Sequence, residues 1–261
     1  MVPVYDCDIV ADRLPAELEA RLTAVRSVGV ISGAGISSES GIRPYRGQGG
    51  LYDDPEQGDR TVEALSGAIL ASDPDRTWRV VAELARQSVD AEPNPAHHAL
   101  VRIEQRVEHF VLLTQNVDGL HRLAGSQNVI EIHGDVFDTR CLSCGKTGRL
   151  DRSALAGIER APRCPACSGL LRPDAVLFGE MIPQERYGRL VAEFHSRSPD
   201  LLIVVGTSAP FPYIIEPVRV AKQRGRLTVE VNPEETVLSR VVDYALRAPA
   251  GAILPLIDAA I

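Results

Sequence analysis

Apolar positions along the 261-residue chain follow two rhythms. Short unbroken runs at Val28–Ser32, His109–Thr114, Val129–Ile132, Leu201–Val205 and Leu227–Val231 have the length and continuous apolar character of strands buried on both faces. Between them, apolar residues recur at spacings of three and four. Leu14, Leu18, Leu22 and Val25 define a helix over 11–26, with Pro15 in its first turn. Val62, Leu65 and Ile69 form one stripe, and Trp78, Val81, Ala82 and Ala85 form a second after Asp73-Pro74. Asn94-Pro95 opens a helix holding Leu100, Ile103 and Val107, and further helical patterns fall at 183–196, at 213–224 and from Ala250 onward. Strands alternating with helices predict an α/β fold, a parallel sheet with helices on both faces. The two stripes after Val62 interrupt that alternation and read as a helical insertion with a small core of its own.

In sheets of this kind ligands bind beyond the carboxyl ends of the strands. Five such ends here carry glycine or polar residues: Gly33-Ala34-Gly35, Gln115-Asn116-Val117-Asp118, His133-Gly134, Gly206-Thr207-Ser208 and Asn232. Caps facing solvent do not need that concentration of polar ends, so the pattern predicts a nucleotide crevice. The glycine stretch is its expected phosphate cradle, because backbone amides without neighbouring Cβ atoms approach an anion closely. Downstream, Gly47-Gln48-Gly49-Gly50 is too rich in glycine for regular structure, and it suits both a mobile cover over the crevice and a plain exposed loop.

Composition narrows the class only modestly. The chain is 44% hydrophobic and 24% charged, with a net charge of −7, which is ordinary for a globular protein and disfavours nucleic acid as a partner. No window reaches the roughly 18 consecutive apolar residues of a membrane helix, and no basic segment leads into an apolar one at the start, so a cytoplasmic location is expected. Cysteine changes the picture more. Four of the five form two Cys-x-x-Cys pairs, Cys141 with Cys144 and Cys164 with Cys167, while Cys7 stands apart as a bystander. Two such knuckles complete a tetrahedral zinc site, and four thiolates leave no position for water, so the predicted ion is structural. The surrounding basic residues are scattered, without interleaved aromatics, and do not read as a nucleic-acid surface.

Taken together, Gly33-Ala34-Gly35-Ile36-Ser37 through Arg46, Gln115-Asn116-Val117-Asp118, His133-Gly134, the four cysteines, Phe178-Gly179-Glu180, Gly206-Thr207-Ser208 and Val231-Asn232 resemble the sirtuins, the NAD-dependent protein lysine deacylases. The motifs run in that family's order over residues 28 to 250. The resemblance implies a discontinuous Rossmann-like NAD-binding domain (1–43, 96–137 and 173–261) and a small domain made from a helical insertion with a cofactor loop (44–95) together with a zinc ribbon (138–172). It also implies that NAD and acyl-lysine meet in the cleft between them.

Carried onto this chain, the resemblance gives Gly33, Ala34, Gly35 and Arg46 the phosphates and nearby ribose, and Tyr45 the nicotinamide side. Gln115 and Asn116 would hold the nicotinamide ribose and its water, Val117 and Asp118 the carboxamide, and Gly206, Thr207, Ser208 and Asn232 the adenosine half. His133 would be the general base, a role that neutral imidazole suits near physiological pH. The other histidines, His97, His98, His109, His121 and His195, read as structural. Val176, Phe178, Gly179 and Glu180 on one side, with Ala209 and Phe211 on the other, would hold an acyl-lysine peptide as an added strand. The implied products are nicotinamide, free lysine and O-acyl-ADP-ribose. Two other classes stand beside this one: transfer of ADP-ribose to protein or hydrolysis of NAD by the same fold, and a non-enzymatic zinc-ribbon binding module.

The sequence departs from the family in two places. Tyr45 stands where Phe is commoner. The form Gly41-Ile42-Arg43-Pro44-Tyr45-Arg46-Gly47 resembles the branch that includes desuccinylases, yet the Tyr-x-x-Arg pair that holds an acidic acyl group there falls on Val81 and Leu84. Neither pairs with a carboxylate, so acetyl or other uncharged acyl groups are expected.

Overall fold

A computed structural model describes residues 4–5, 13–44, 50, 54–86 and 88–261. Its main layer is a seven-stranded parallel sheet. The strands are β1 (Val4–Tyr5), β2 (Ser27–Ser32), β3 (His109–Thr114), β4 (Val129–Glu131), β8 (Leu201–Val205), β9 (Leu227–Val231) and β10 (Tyr244–Leu246). They lie in the order β1-β10-β9-β8-β2-β3-β4. The first half of the chain builds outward from β2 through β3 to β4, and the second half builds the other way from β8 to β10. The order therefore reverses between β2 and β8, where Ser32 pairs with Val205. Crossover connections leave on opposite faces at such a point and open a crevice beyond the strand ends.

Two apolar layers sandwich this sheet. Leu14, Leu18 and Leu22 of α1 (Ala16–Leu22) and its approach, Leu100 and Ile103 of α5 (Pro95–Arg106), and Ile253, Leu254 and Ile257 of α10 (Ala250–Ala260) cover one face. Ile214, Val218 and Ala221 of α9 (Pro212–Gln223), with Leu190 of α8 (Gln184–Leu190) and Phe194 just after it, cover the other. Alternate residues of β8 supply the two sides, Leu201, Ile203 and Val205 to one and Leu202 and Val204 to the other, which is why the strand reads as an unbroken apolar run.

A second, antiparallel sheet in the order β6-β5-β7 was not legible in the sequence. Its strands are β5 (Gly134–Cys141), β6 (Thr147–Arg149) and β7 (Leu171–Ala175). Their residues are mostly polar, and only a third cluster makes them cohere: Trp78, Val81 and Ala85 of α4 (Pro74–Arg86) pack with Phe137, Leu171, Cys141, Cys164 and Leu155 of the short α7 (Arg152–Ala156). Trp78 is fully buried and donates its indole N–H to the Leu171 carbonyl at 2.9 Å. The helical insertion and the cysteine segment thus share one core, in keeping with the small domain expected from the two together, whereas the apolar stripes taken alone suggested a core for the insertion by itself. Two further helices, α2 (Pro55–Ala64) and α3 (Gly67–Ser72), complete the insertion. It is tied to the chain after β7 by Phe178 N–H to the Leu65 carbonyl (2.9 Å) and Gly67 N–H to the Phe178 carbonyl (3.3 Å).

The cleft at the strand ends

The two sheets meet at one point. β4 ends at Glu131 and β5 begins at Gly134, so Ile132 and His133 form the link between them. Gly134 makes the turn: its φ is +85°, and a Cβ there would sit 2.0 Å from the Asp174 carbonyl oxygen, so only glycine fits. Val176 N–H closes the corner on the His133 carbonyl at 2.8 Å. His133 lines a cleft of about 1230 Å³, a size suited to a dinucleotide and part of a second ligand.

At the floor, the strand ends are interlocked. A Cβ on Gly33 would meet Thr207 Cβ at 2.6 Å, one on Gly35 would meet Gly206 Cα at 2.8 Å, and Gly206 itself has φ +60°. Gly33 N–H donates to the Val205 carbonyl (3.0 Å) and Gly35 N–H to that of Gly206 (2.8 Å). These glycines are thus required by the close approach of β2 and β8, and their two amides are spent on each other's strands. The expectation of a cradle of bare amides is corrected for Gly33 and Gly35, whose N–H groups are taken, while Ala34 lines the cleft between them. The chain then turns into a tight 3-10 helix, Ala34–Ser40, rather than a regular α-helix.

A directional hydrogen-bond chain runs across the next two strand ends. Ser37 Oγ donates to Asp118 Oδ2 at 2.7 Å and accepts from Asn116 Nδ2 at 3.2 Å. This fixes the Asn116 amide and leaves its Oδ1 buried with no partner among the described residues. A buried acceptor without a donor costs about 1–3 kcal/mol, and Asn116 lines the cleft, so the atom is suited to a ligand hydroxyl or a bound water. Asp118 is half-buried behind this chain; its loss of solvent pushes the carboxyl pKa up, and bonds from Leu120 N–H and Ser37 oppose the shift. Gln115 Nε2 donates to Thr207 Oγ1 (2.9 Å), and Asn232 Nδ2 donates to the Thr207 carbonyl (3.1 Å), linking three strand ends.

His133 is held at both nitrogens. Nδ1 lies 3.0 Å from the Gln115 carbonyl and Nε2 2.6 Å from the Tyr213 hydroxyl. Burial lowers its pKa, Arg186 lowers it further, and the Gln115 carbonyl opposes both; the ring is therefore neutral at physiological pH.

The cleft walls are apolar and open. Phe178 and Phe211 are each 39% exposed and Met181 is 91% exposed, an unusual amount of apolar surface to leave uncovered at a rim. Glu180 lines the cleft, but its carboxylate grips Arg172 at 2.8 and 2.7 Å and accepts Leu177 N–H at 3.0 Å. It braces the 176–180 segment. Val81 and Leu84 line the cleft, Arg79 is exposed on the insertion, and Arg86 is bonded to the Ala156 carbonyl. Among the described residues no Lys or Arg lines the cleft.

Gly33, Ala34, Gly35, Gln115, Asn116, Val117, His133, Val176, Phe178, Gly179, Glu180, Gly206, Thr207, Ser208, Phe211 and Asn232 all line this one cleft. Asp118 and Ala209 are not among its lining residues: Asp118 sits behind Ser37, and Ala209 is fully buried under the cleft wall with φ +50°. Tyr45 and Arg46, and the 47–49 part of the glycine loop, lie outside the described residues. Sequence reasoning missed Tyr213, which no motif contains.

The four predicted ligand cysteines converge, with all four Sγ atoms within 4.8 Å of one another. Cys141 and Cys167 are 3.5 Å apart and Cys144 and Cys164 3.8 Å, close to the roughly 3.8 Å edge of a tetrahedron with metal–sulfur bonds of about 2.3 Å. Ser143 and Cys144 N–H groups point at Cys141 Sγ (3.4 and 3.5 Å), and Ala166 N–H points at Cys164 Sγ (3.4 Å), which favours thiolates. The donor set fits zinc.

Comparison with known proteins agrees with this geometry. The Sir2 family model matches residues 33–211. The NAD-dependent protein deacylase 2 of Pseudomonas aeruginosa is 45% identical over 230 residues, 87% of this chain and 89% of that one. The NAD-dependent protein deacylase of Thermus thermophilus is 41% identical over 238 residues, 90% of each. Among solved structures, the crystal structure of a Sir2 homologue in complex with NAD superposes with a TM-score of 0.82 at 34% identity, covering 95% of this chain and 94% of that one. A Sir2–p53 peptide–NAD+ structure gives 0.76 at 29% identity, covering 92% and 95%. No helix among the described residues is long and apolar enough to cross a membrane.

Proposed function

Since the chain belongs to the Sir2 family, we propose that it uses NAD to remove acyl groups from protein lysines, with acetyl or another short uncharged acyl group preferred. The observation that carries this reading is a neutral His133, half-buried at the junction of the two sheets, facing the same cleft as the unpartnered Asn116 Oδ1 and the interlocked ends of β2 and β8. NAD bound in the cleft supplies an ADP-ribosyl group to the acyl oxygen as nicotinamide leaves, and the products are nicotinamide, free lysine and O-acyl-ADP-ribose.

The chain's own residues would divide the work as follows. Gly33, Ala34, Gly35 and Arg46 border the phosphates and Tyr45 the nicotinamide side. Gly206, Thr207, Ser208 and Asn232 flank the adenosine half, and Gln115 and Asn116 orient the nicotinamide ribose. Val117 takes the carboxamide, with Asp118 fixing Ser37 and Asn116 from behind. His133 accepts a ribose hydroxyl proton. Acyl-lysine would enter between Val176–Glu180 and Phe211 as an added strand, the exposed Phe178 and Phe211 supplying apolar contact. Cys141, Cys144, Cys164 and Cys167 would hold zinc, which supplies structural cross-linking remote from the reacting groups. This reading divides the chain at 1–43, 96–137 and 173–261 for NAD, 44–95 for the insertion and 138–172 for the ribbon. The shared core around Trp78 supports treating the last two as one packing unit.

The acyl preference rests on Val81 and Leu84, which line the cleft, and on the lack of any Lys or Arg in its lining among the described residues. An acidic acyl group beside Val81 and Leu84 would meet no counter-charge among the described lining residues. The test is a panel of acetyl-, butyryl-, succinyl- and glutaryl-lysine peptides with NAD and mass detection of the ADP-ribose product. Faster removal of succinyl than acetyl overturns the acyl preference. Nicotinamide release at a comparable rate without any acyl-lysine overturns deacylation itself.

A further inference from the structure

The Gln115 carbonyl can only accept a hydrogen bond, so the contact at 3.0 Å places the imidazole proton of neutral His133 on Nδ1. Nε2 is then a lone pair, and the Tyr213 hydroxyl 2.6 Å away must donate to it. The basic nitrogen of the site therefore does not face the cleft bare. It is fronted by a hydroxyl whose own oxygen lone pairs remain available, on a residue that lines the cleft.

The surroundings make this arrangement stiff. The Tyr213 ring is stacked on Phe211 (centroids 5.3 Å apart, planes at 8°), and both rings stand edge-on to His133 at 83–88°. Tyr213 opens α9, the second residue of a helix whose buried face is anchored by Ile214, Pro217 and Val218. Burial pushes the phenol pKa up to about 12, so the hydroxyl stays protonated and remains a donor. Arg186, paired with Asp174 at 3.0 Å, is the charged group beside the imidazole.

We infer that Tyr213 is the group through which His133 takes its proton: the ribose hydroxyl bonds to the Tyr213 oxygen, and the proton reaches Nε2 by way of that hydroxyl. As the ribose O–H bond breaks, its electron pair stays on the ribose oxygen for attack and its proton forms a new O–H bond on Tyr213. The original phenol proton passes at the same time to Nε2, giving imidazolium, with Tyr213 unchanged. A concerted exchange suits a phenol this reluctant to ionise. This inference rests on the assignment of His133 as base.

The experiment compares wild type, Tyr213→Phe, His133→Ala and the double variant in two assays on one acetyl-lysine peptide: O-acyl-ADP-ribose formation, and exchange of labelled nicotinamide into NAD, which precedes the base-dependent step. Tyr213→Phe keeps the ring and its stack on Phe211. The expected result is at least a tenfold lower kcat for product formation, with the peptide KM and the exchange rate within about twofold of wild type. The double variant should be no slower than His133→Ala. Product formation in Tyr213→Phe at or above the wild-type rate, with His133→Ala inactive, overturns the relay and leaves the base assignment standing. A further loss in the double variant also overturns it. Undiminished product formation in His133→Ala removes the base assignment and the relay together.

Discussion

Acid should destabilise this protein through a histidine that does not line the cleft. His97, in the first turn of α5, is fully buried, accepts Asn94 N–H on Nδ1 at 3.3 Å, and has no partner for Nε2 among the described residues. Its ring lies 4.9 Å from that of His121 in α6 (Leu120–Ala124), itself buried with Nε2 on Ser32 Oγ at 2.8 Å. Burial lowers the His97 pKa to about 4, with His98 adding to the effect, and burial drives His121 in the same direction. Below pH 6.5 the unfolded chain binds a proton at position 97 that the folded chain refuses, so stability falls as pH falls, until protonation of the folded state begins near pH 4. With those two values His97 alone contributes a loss of about 2 kcal/mol between pH 7 and pH 5, and about 3 kcal/mol in full. The assay is urea unfolding at pH 7, 6 and 5 for wild type and His97→Asn, whose amide oxygen still accepts Asn94 N–H but does not titrate. The variant should be less stable at pH 7 through lost packing, and the gap should close by about 2 kcal/mol at pH 5. A gap that stays constant across the three pH values refutes the reasoning, because carboxylates that titrate in the same range affect both proteins equally.

Trp78→Ala removes the centre of the core shared by the insertion and the small sheet, together with its bond to Leu171; a loss of about 3–5 kcal/mol in denaturant unfolding is expected, and a loss under about 1 kcal/mol would contradict the shared core. Gly206→Ala places a Cβ 2.3 Å from Ile36 N on a residue with φ +60°, so thermal unfolding should drop by the equivalent of about 2 kcal/mol or more; an unchanged midpoint would mean the strand ends are not interlocked. Leu84→Arg puts a cation in a cleft whose charged lining residues, among the described ones, are glutamates, and the succinyl-to-acetyl rate ratio should rise at least tenfold; no change would show that position 84 does not meet the acyl group. Cys164→Ser removes one of four thiolates, and purified protein should carry well under one zinc per chain by metal analysis with a lowered unfolding midpoint; full zinc content would exclude Cys164 as a ligand.

Much of this molecule was legible without coordinates because its signals are local or combinatorial. Val28–Ser32, His109–Thr114, Leu201–Val205 and Leu227–Val231 are strands where their continuous apolar runs said they would be. The Asn94-Pro95 signal opens a helix capped by Asn94, with His97 closing a reciprocal capping box. Spacing alone paired the cysteines. Other elements were hidden because their order is not local. β10 has three residues and reads as part of a turn until β9 pairs with it. The strands of the small sheet carry too much polar residue to announce themselves, and they hold only because Trp78, some 60 residues upstream of Phe137, fills the space between them.

The sequence by itself determined which chemical groups the protein owns at its strand ends, since each lies next to an apolar run that must be buried. Only the tertiary structure decided what those groups do to one another. The glycines serve the meeting of β2 and β8 because two backbones converge at the reversal of strand order. Glu180 braces a loop because Arg172 lies across from it. Tyr213 fronts His133 because the start of α9 packs against the corner between the sheets, a juxtaposition of residues 80 positions apart that no periodicity records.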